Sequence, residues 1–196
     1  ELIAVSAGED GSGSFILGAA GSLATTDSGS DIAVTTGSSS GDITLSGTTT
    51  ALEQVTMTTA SGSINGSGLV TSDTVDLNAS TGIGETTGVT LSSSNVTADT
   101  TTGDVEIANN LGTAVSVSSL TTGTGTISFG QSGGGNITFV APVSSGGAVN
   151  GGNITLTASD GLVVGGTVSS ALGTGGNLLV SGATLSGAVA VGAGDV

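Results

Sequence analysis

A short pattern of apolar and polar positions recurs along the chain. It consists of a glycine, a small polar residue, and then two apolar residues separated by one further residue. The alternation predicts a short β-strand with one buried face, and the glycine predicts a preceding turn with positive φ. The copies are Gly41-Asp42-Ile43-Thr44-Leu45, Gly103-Asp104-Val105-Glu106-Ile107, Gly125-Thr126-Ile127-Ser128-Phe129, Gly135-Asn136-Ile137-Thr138-Phe139, Gly152-Asn153-Ile154-Thr155-Leu156 and, more loosely, Gly176-Asn177-Leu178-Leu179-Val180.

The spacing of the predicted strands indicates a repeat architecture. The first apolar residues of successive predicted strands are often separated by one of two numbers of residues, and the larger number is about twice the smaller. Turn-then-strand units of this kind are typical of a parallel β-helix, or β-solenoid, with roughly 20–22 residues per coil and at least two strands in each coil. We therefore predict an all-β fold of roughly nine coils, forming a single domain over residues 1–196 that is a fibre subunit or a segment of a longer chain. Corners are predicted at Ser38-Ser39-Ser40-Gly41, Ser132-Gly133-Gly134-Gly135 and Ser144-Ser145-Gly146-Gly147.

The charge composition argues against several function classes. The chain has 15 acidic residues, no lysine, arginine or histidine, and a net charge of −15. No cation can neutralise a phosphate, so nucleic-acid binding loses its main source of affinity, as does attraction to anionic membranes. Histidine bases and lysine nucleophiles are absent too, so we expect no enzymatic activity, no catalytic residues and no cofactor. There is no cysteine, and no apolar run is long enough to span a membrane.

Carboxylates are the only candidate metal ligands. Asp73 and Asp76 lie three residues apart, and Asp104 and Glu106 lie two apart on one face of a predicted strand. Calcium prefers six to eight oxygen ligands, and neither pair supplies that number alone. Solvated surface charge is the simpler interpretation of all four residues. For Asp42 and Asp104 we expect hydrogen bonds to backbone N–H groups beside the turn glycines.

Two further polar patterns allow a functional and a structural interpretation. The first pattern is the N-glycosylation acceptor triplet, which begins at Asn65, Asn78, Asn95, Asn136 and Asn153. Asparagine at a solenoid corner is also explained by the turn conformation that it favours. Thr-x-Thr triplets would indicate an ice-binding surface if they formed a flat, regular array. Their spacing along the chain is irregular, so the strand propensity of threonine is the simpler account.

The Gly-Asp-Ile-Thr-Leu and Gly-Asn-Ile-Thr-Leu strings resemble the repeats of filamentous-haemagglutinin-like adhesins and other large bacterial exoproteins. The resemblance covers roughly residues 30–187. It implies a right-handed parallel β-helix that is secreted and folds outside the cell. The complete lack of basic residues departs from that family, and its N-terminal secretion domain is not recognisable here.

These observations predict a non-enzymatic extracellular structural protein, a rod or fibre building block of a bacterial surface adhesin or filament. We expect it to associate with itself end to end, because the first residues Leu2-Ile3-Ala4-Val5 and the late segment Ala188-Val189-Ala190-Val191 both predict strands without a cap. The alternative is an ice- or polysaccharide-binding solenoid. The lack of tryptophan and tyrosine counts against sugar stacking, and a hydrolase with two carboxylates is the third interpretation.

Overall fold

The fold is a parallel β-solenoid, which confirms the predicted fold class. The computed structural model describes residues 1–141, 143–146, 152–170, 177–182 and 185–191. All pairings between the described strands are parallel, and the strands form one continuous sheet that winds around three sides. No helix among the described residues could span a membrane.

The first side carries the longest uninterrupted ladder. Inward and outward residues alternate along its strands, so that Ile32 and Val34 are buried while Ala33 between them points outward. In axial order, the first side contains β1 (Leu2–Ala7), β4 (Asp31–Thr36), β7 (Gln54–Thr59), and the C-terminal parts of β9 (Leu69–Ala79), β11 (Val89–Thr100), β13 (Val115–Thr122), β18 (Leu162–Ser170) and β20 (Leu185–Val191), with β16 (Val143–Ser145) between β13 and β18.

The second side is built from the recurring sequence pattern. Four copies of the pattern stack directly on one another, and their first apolar residues pair in register: Val105 with Ile127, Ile127 with Ile154, and Ile154 with Leu178. The copy at Ile43 lies on the same side, and the copy around Ile137 lies on the third side. The second side contains β2 (Phe15–Leu17), β5 (Ile43–Leu45), β8 (Ser63–Asn65), β10 (Gly82–Ile83), β12 (Val105–Asn109), β14 (Ile127–Gln131), β17 (Ile154–Ala158) and β19 (Leu178–Ser181).

The third side runs into the first without a turn signal in the sequence. β9 and β11 are 11 and 12 residues long and pass around the corner, so each contributes to both sides. Because β9 and β11 contain no glycine or proline at this corner, the spacing of apolar residues in the sequence predicts at least two strands per coil and does not separate the third side. The third side contains β3 (Ser22–Ala24), β6 (Thr48–Thr50), β15 (Ile137–Phe139) and the N-terminal parts of β9, β11, β13, β18 and β20.

The length of a turn matches the prediction only in the middle of the rod. There, Val75 pairs with Val55 in the turn before and with Val96 in the turn after, and both separations agree with the predicted coil. Near the first end the corners are longer, so the separation between Ile3 and its partner Ile32 exceeds the predicted coil length. About six turns are formed, and these are described without interruption over residues 1–141. The predicted count of roughly nine coils is therefore slightly too high, although later strands continue the ladders through turns described in part.

One predicted corner is wrong. Ser144 and Ser145 lie within strand β16, where Ser144 pairs with Thr121 and Ser145 with Thr122. The hydroxyl of Ser145 is buried and donates to the carbonyl of Gly152. Ser145 thus takes the inward position that Thr122 has in the turn before. The turn begins at Gly146, which has a φ of 104°, while Gly147 and Pro142 lie outside the described residues.

The interior is filled by columns of aliphatic side chains. Residues in the same column come from successive turns, so each turn buries the apolar face of its neighbours. Phe129 and Phe139 are the large buried residues, and their rings meet edge to face with centroids 6.3 Å apart. Aliphatic side chains make up the rest of the described apolar core, so this arrangement needs few aromatic residues.

The corner between the first and second sides explains the glycine of the sequence pattern. A Cβ on Gly125 would lie 1.8 Å from the carbonyl oxygen of Gly103, one turn earlier, and a Cβ on Gly152 would lie 2.1 Å from that of Gly125. Gly41 is equally tight, with 2.1 Å to the Gly13 carbonyl. The glycines are thus stacked so closely along the axis that no side chain fits between them.

Positive φ is not the general reason for these glycines, contrary to the prediction from the sequence. Gly103 and Gly135 have φ values of 77° and 80°, but Gly41, Gly125 and Gly152 do not adopt positive φ. The close approach of successive turns is the shared constraint. Glycine is required here for its missing side chain more often than for its backbone freedom.

Candidate functional site

Buried hydroxyls support the glycine corner. The Thr122 hydroxyl donates to the carbonyl of Gly103 at 2.6 Å and accepts the N–H of Gly125 at 3.0 Å. Thr59 bonds the carbonyl of Gly41 at 2.6 Å and the N–H of Gly62 at 2.8 Å in the same way. These hydroxyls link one turn to the next, so the polar groups of the corner are satisfied without water.

The side chain after the glycine forms a second ladder between turns. The Asp42 carboxylate accepts the backbone N–H of Ser63 at 2.8 Å, and Asp104 accepts that of Thr126 at 2.7 Å. Asn153 accepts the N–H of Asn177 at 2.9 Å by its side-chain oxygen. The expected hydrogen bonds to backbone N–H groups therefore exist. Their donor is the residue that follows the corresponding glycine one turn later, and not a residue of the same turn.

The four carboxylates considered as candidate calcium ligands are distributed over different surfaces. Asp73 is exposed at the corner between the third and first sides, while Asp76 lies on the outer face of the first side and accepts the Asn78 amide at 2.9 Å. Asp104 is engaged by Thr126, and Glu106 points outward from β12. The described part of the chain contains no group of three or more acidic residues arranged to hold a metal ion.

The glycosylation triplets differ in how accessible their asparagines are. Asn65 donates to the Ser63 hydroxyl at 2.7 Å and accepts the N–H of Thr86 at 3.0 Å, so its amide is engaged on both sides. Asn78 and Asn95 are likewise hydrogen-bonded and half-buried. Asn136 and Asn153 directly precede strands β15 and β17, and both are exposed.

The threonines do not form a regular surface array. In Thr56-Met57-Thr58 the methionine is buried and both threonines point outward, which is the arrangement that a flat array needs. Along the axis, however, the row containing Thr58 continues with Asn78 and Asp99 before it returns to threonine. This face of the first side is therefore a mixed polar surface.

Sequence reasoning missed a buried amide pair inside the solenoid. Asn109 and Gln131 occupy inward positions at the ends of β12 and β14, with exposed fractions of 0% and 3%. The Asn109 amide nitrogen donates to the Gln131 side-chain oxygen at 2.8 Å. A signal was available, because strict alternation from Val105 and from Ile127 places residues 109 and 131 on the buried face.

The first turn presents an open end. Strands β1, β2 and β3 each pair with one later strand only, and their other edges have no partner among the described residues. Core residues at this end are only half-buried, namely Ile3, Val5, Phe15 and Leu23. An unpaired edge above a partly exposed core is a surface that can accept another strand layer.

Comparisons with known proteins add no family assignment: no family model, no curated protein and no solved structure matches the chain.

Proposed function

We propose that the chain is a non-enzymatic structural rod that serves as a building block of an extracellular bacterial adhesin or filament. The observation that carries this proposal is that the continuous parallel ladder ends at the first turn in an edge without a partner among the described residues. The resemblance of the repeats to haemagglutinin-like adhesins supports the same role and an extracellular location. The absence of lysine, arginine and histidine from the sequence supports a role without catalysis.

The proposed partner is a second copy of the chain, stacked end to end. The alternation of β1 places the N–H and C=O groups of Leu2, Ala4 and Ser6 away from β4, because Asp31 donates to the carbonyl of Glu1 at 2.9 Å. These groups can continue the ladder into a strand of another copy. Such head-to-tail contact does not close on itself and therefore builds filaments.

The charge distribution favours head-to-tail over head-to-head contact. Thirteen of the 15 carboxylates precede residue 108, and none lies between residues 107 and 159. Two acidic ends would repel each other, whereas an acidic end and a nearly neutral end repel less. Salt should promote association by screening the remaining repulsion.

A lysine at an inward or at an outward position of β1 tests the proposed contact. Ile3→Lys places a charge at the inward position of the open edge, where a docking strand layer would bury it. The matched control is Ala4→Lys, which adds the same charge at the neighbouring outward position. We expect light scattering and electron microscopy to show concentration-dependent rods for the parent chain and for Ala4→Lys, but single rods for Ile3→Lys.

Far-UV circular dichroism of both variants verifies that the solenoid is retained. The proposal of end-to-end stacking is wrong if the parent chain stays monomeric at high concentration in salt. It is also wrong if Ile3→Lys associates as strongly as Ala4→Lys.

A further inference from the structure

The regular solenoid is interrupted in the middle of the rod. In residues 105–122 the ladders change partners, since the end of β12 pairs both with β14 on the second side and with the start of β11 on the third. A register shift follows between Val96 and Thr97, opposite β13. Irregularities of this kind are over-represented beside binding sites, where they redirect a side chain or end a ladder.

The buried amides lie at this interruption and hold a loop. Gln131 donates to the carbonyls of Leu111 and Thr113 at 2.7 and 3.1 Å. Asn109 bonds Gln131 and both backbone groups of Ser93, at 2.9 Å and 3.0 Å. A network this completely satisfied fixes one conformation, so the loop of residues 110–114 is held rigidly above the third side.

A groove of about 420 Å³ lies beside this loop, which we name the loop groove. The residues that define it are Thr50, Thr71 and Ser92 along the third side, Leu52 and Asp73 at the corner, and Leu111 in the loop. Its volume is within the range of small-ligand sites, about 300–1,000 Å³. The groove is therefore lined by both hydroxyl-bearing and apolar side chains.

The floor is a row of unused hydroxyls. Thr50 pairs with Thr71 and Thr71 with Ser92, so the three hydroxyls follow the axis at one per turn, about 4.8 Å apart. Within the part of the chain that the structure describes, none of these hydroxyls makes a hydrogen bond. They are free to donate to and accept from a ligand that carries hydroxyl groups at a similar repeat.

The surroundings restrict the chemistry of that ligand. Anionic ligands are disfavoured because the chain carries no cation and a net charge of −15. An added peptide strand is disfavoured as well, because the strands beneath the floor are already paired on both edges. The exposed side chain of Leu52 and the partly exposed Leu111 can cover apolar ring faces, and the Asp73 carboxylate can accept hydrogen bonds from hydroxyl groups.

We propose that the loop groove binds a neutral polysaccharide chain that lies along the solenoid axis. Successive sugar units lie over successive turns, where their hydroxyl groups bond Thr50, Thr71 and Ser92. Leu52 and Leu111 contact the C–H faces of the sugar rings, which replaces the aromatic stacking that this chain lacks. This site is independent of the proposed end-to-end stacking, since it lies on a lateral surface in the middle of the rod.

Affinity electrophoresis tests the proposal, since this acidic chain migrates readily in native gels. The probes are dissolved dextran, laminarin and galactomannan, with alginate as an anionic comparison. We expect at least one neutral probe to retard the chain, and Thr71→Val to raise the dissociation constant about three- to tenfold by removing one hydroxyl of the floor. The matched control is Thr97→Val, an outward and half-buried threonine on the first side.

The two variants should melt at similar temperatures, because neither hydroxyl has a hydrogen bond within the described residues. The proposal is overturned if no neutral probe retards the parent chain up to the solubility limit, or if alginate retards it as strongly as the neutral probes. Equal retardation of Thr71→Val and the parent chain would overturn it as well.

Discussion

At the residue scale, the stability of the solenoid depends on glycines and hydrogen-bonded threonines at the corner between the first and second sides. The stacked glycines leave no room for a Cβ, and the buried threonines beside them satisfy the corner's polar groups. Both residue types are common throughout this sequence, so composition alone does not distinguish the essential copies from the others. Their importance is set by their contacts with the turn before and the turn after.

Gly125→Ala should destabilise the chain strongly. The new Cβ would meet the Gly103 carbonyl at 1.8 Å, and the clash is with backbone that cannot move without disturbing the ladder. We expect a loss of roughly 2–4 kcal/mol in the free energy of unfolding, measured by urea titration. Gly18→Ala is the control, because nothing lies within 4 Å of its Cβ position, and it should change stability by less than about 0.5 kcal/mol. Similar values for the two variants would contradict the close-approach argument.

Thr122→Val tests the hydroxyl ladder with little change of volume. The substitution leaves the Gly125 N–H without its buried partner, and it leaves the Gly103 carbonyl with only the longer bond from the Thr100 hydroxyl at 3.4 Å. We expect a loss of about 1–3 kcal/mol. Thr138→Val, at a half-buried outward position of β15, should be nearly neutral in the same urea titration. A neutral Thr122→Val would mean that water replaces the hydroxyl.

At the scale of the strands, each side of the solenoid has a different sequence signal. The second side was predictable from its glycine pattern because a turn precedes each of its strands. The third side was not, because β9 and β11 bend around the corner within an unbroken run of strand-forming residues. The loop groove was also beyond sequence reasoning, since it depends on which turns lie next to one another. The buried positions of Asn109 and Gln131 could be inferred from alternation, but their pairing could not.

Asn109→Asp should disrupt the turn that carries the loop groove. The amide nitrogen donates to Gln131 and Ser93, and an ionised carboxylate would face these oxygens without a donor. We expect a loss of about 3 kcal/mol or more at neutral pH. Burial raises the pKa of such a carboxyl, so the difference from the parent chain should decrease as the pH falls and the group is protonated.

Asn110→Asp is the matched control for this change, because Asn110 is the exposed neighbour of Asn109. It should show little loss of stability and little dependence of that loss on pH. Thermal melts of both variants across a pH series make the comparison. Equal behaviour of the two aspartates would refute the role given to the buried amide network.

At the scale of the whole molecule, repulsion between carboxylates destabilises the folded rod. All 15 acidic side chains lack a lysine, arginine or histidine partner, so the folded rod carries unbalanced repulsion. The packed columns and the parallel ladders must outweigh it. The longer turns at the first end, together with its open edge, leave this part of the rod with a less buried core than the middle.

Salt should therefore stabilise the rod. We expect the melting temperature to rise with sodium chloride concentration, because screening reduces the repulsion between carboxylates. Calcium chloride at equal ionic strength should add no more than magnesium chloride does, since the described residues contain no assembled metal site. A rise specific to calcium would instead identify a functional cation site and contradict this expectation.

The way in which the turns contact one another also has a genetic consequence. Each turn in the middle of the rod meets only the turn before it and the turn after it, as when Val75 lies between Val55 and Val96. A recombination event that duplicates or removes one whole turn keeps strands of the same side opposite one another at the new junction. An insertion of half a turn instead places the strands of one side opposite those of another. Changes in the length of the rod by whole turns therefore preserve the parallel ladders.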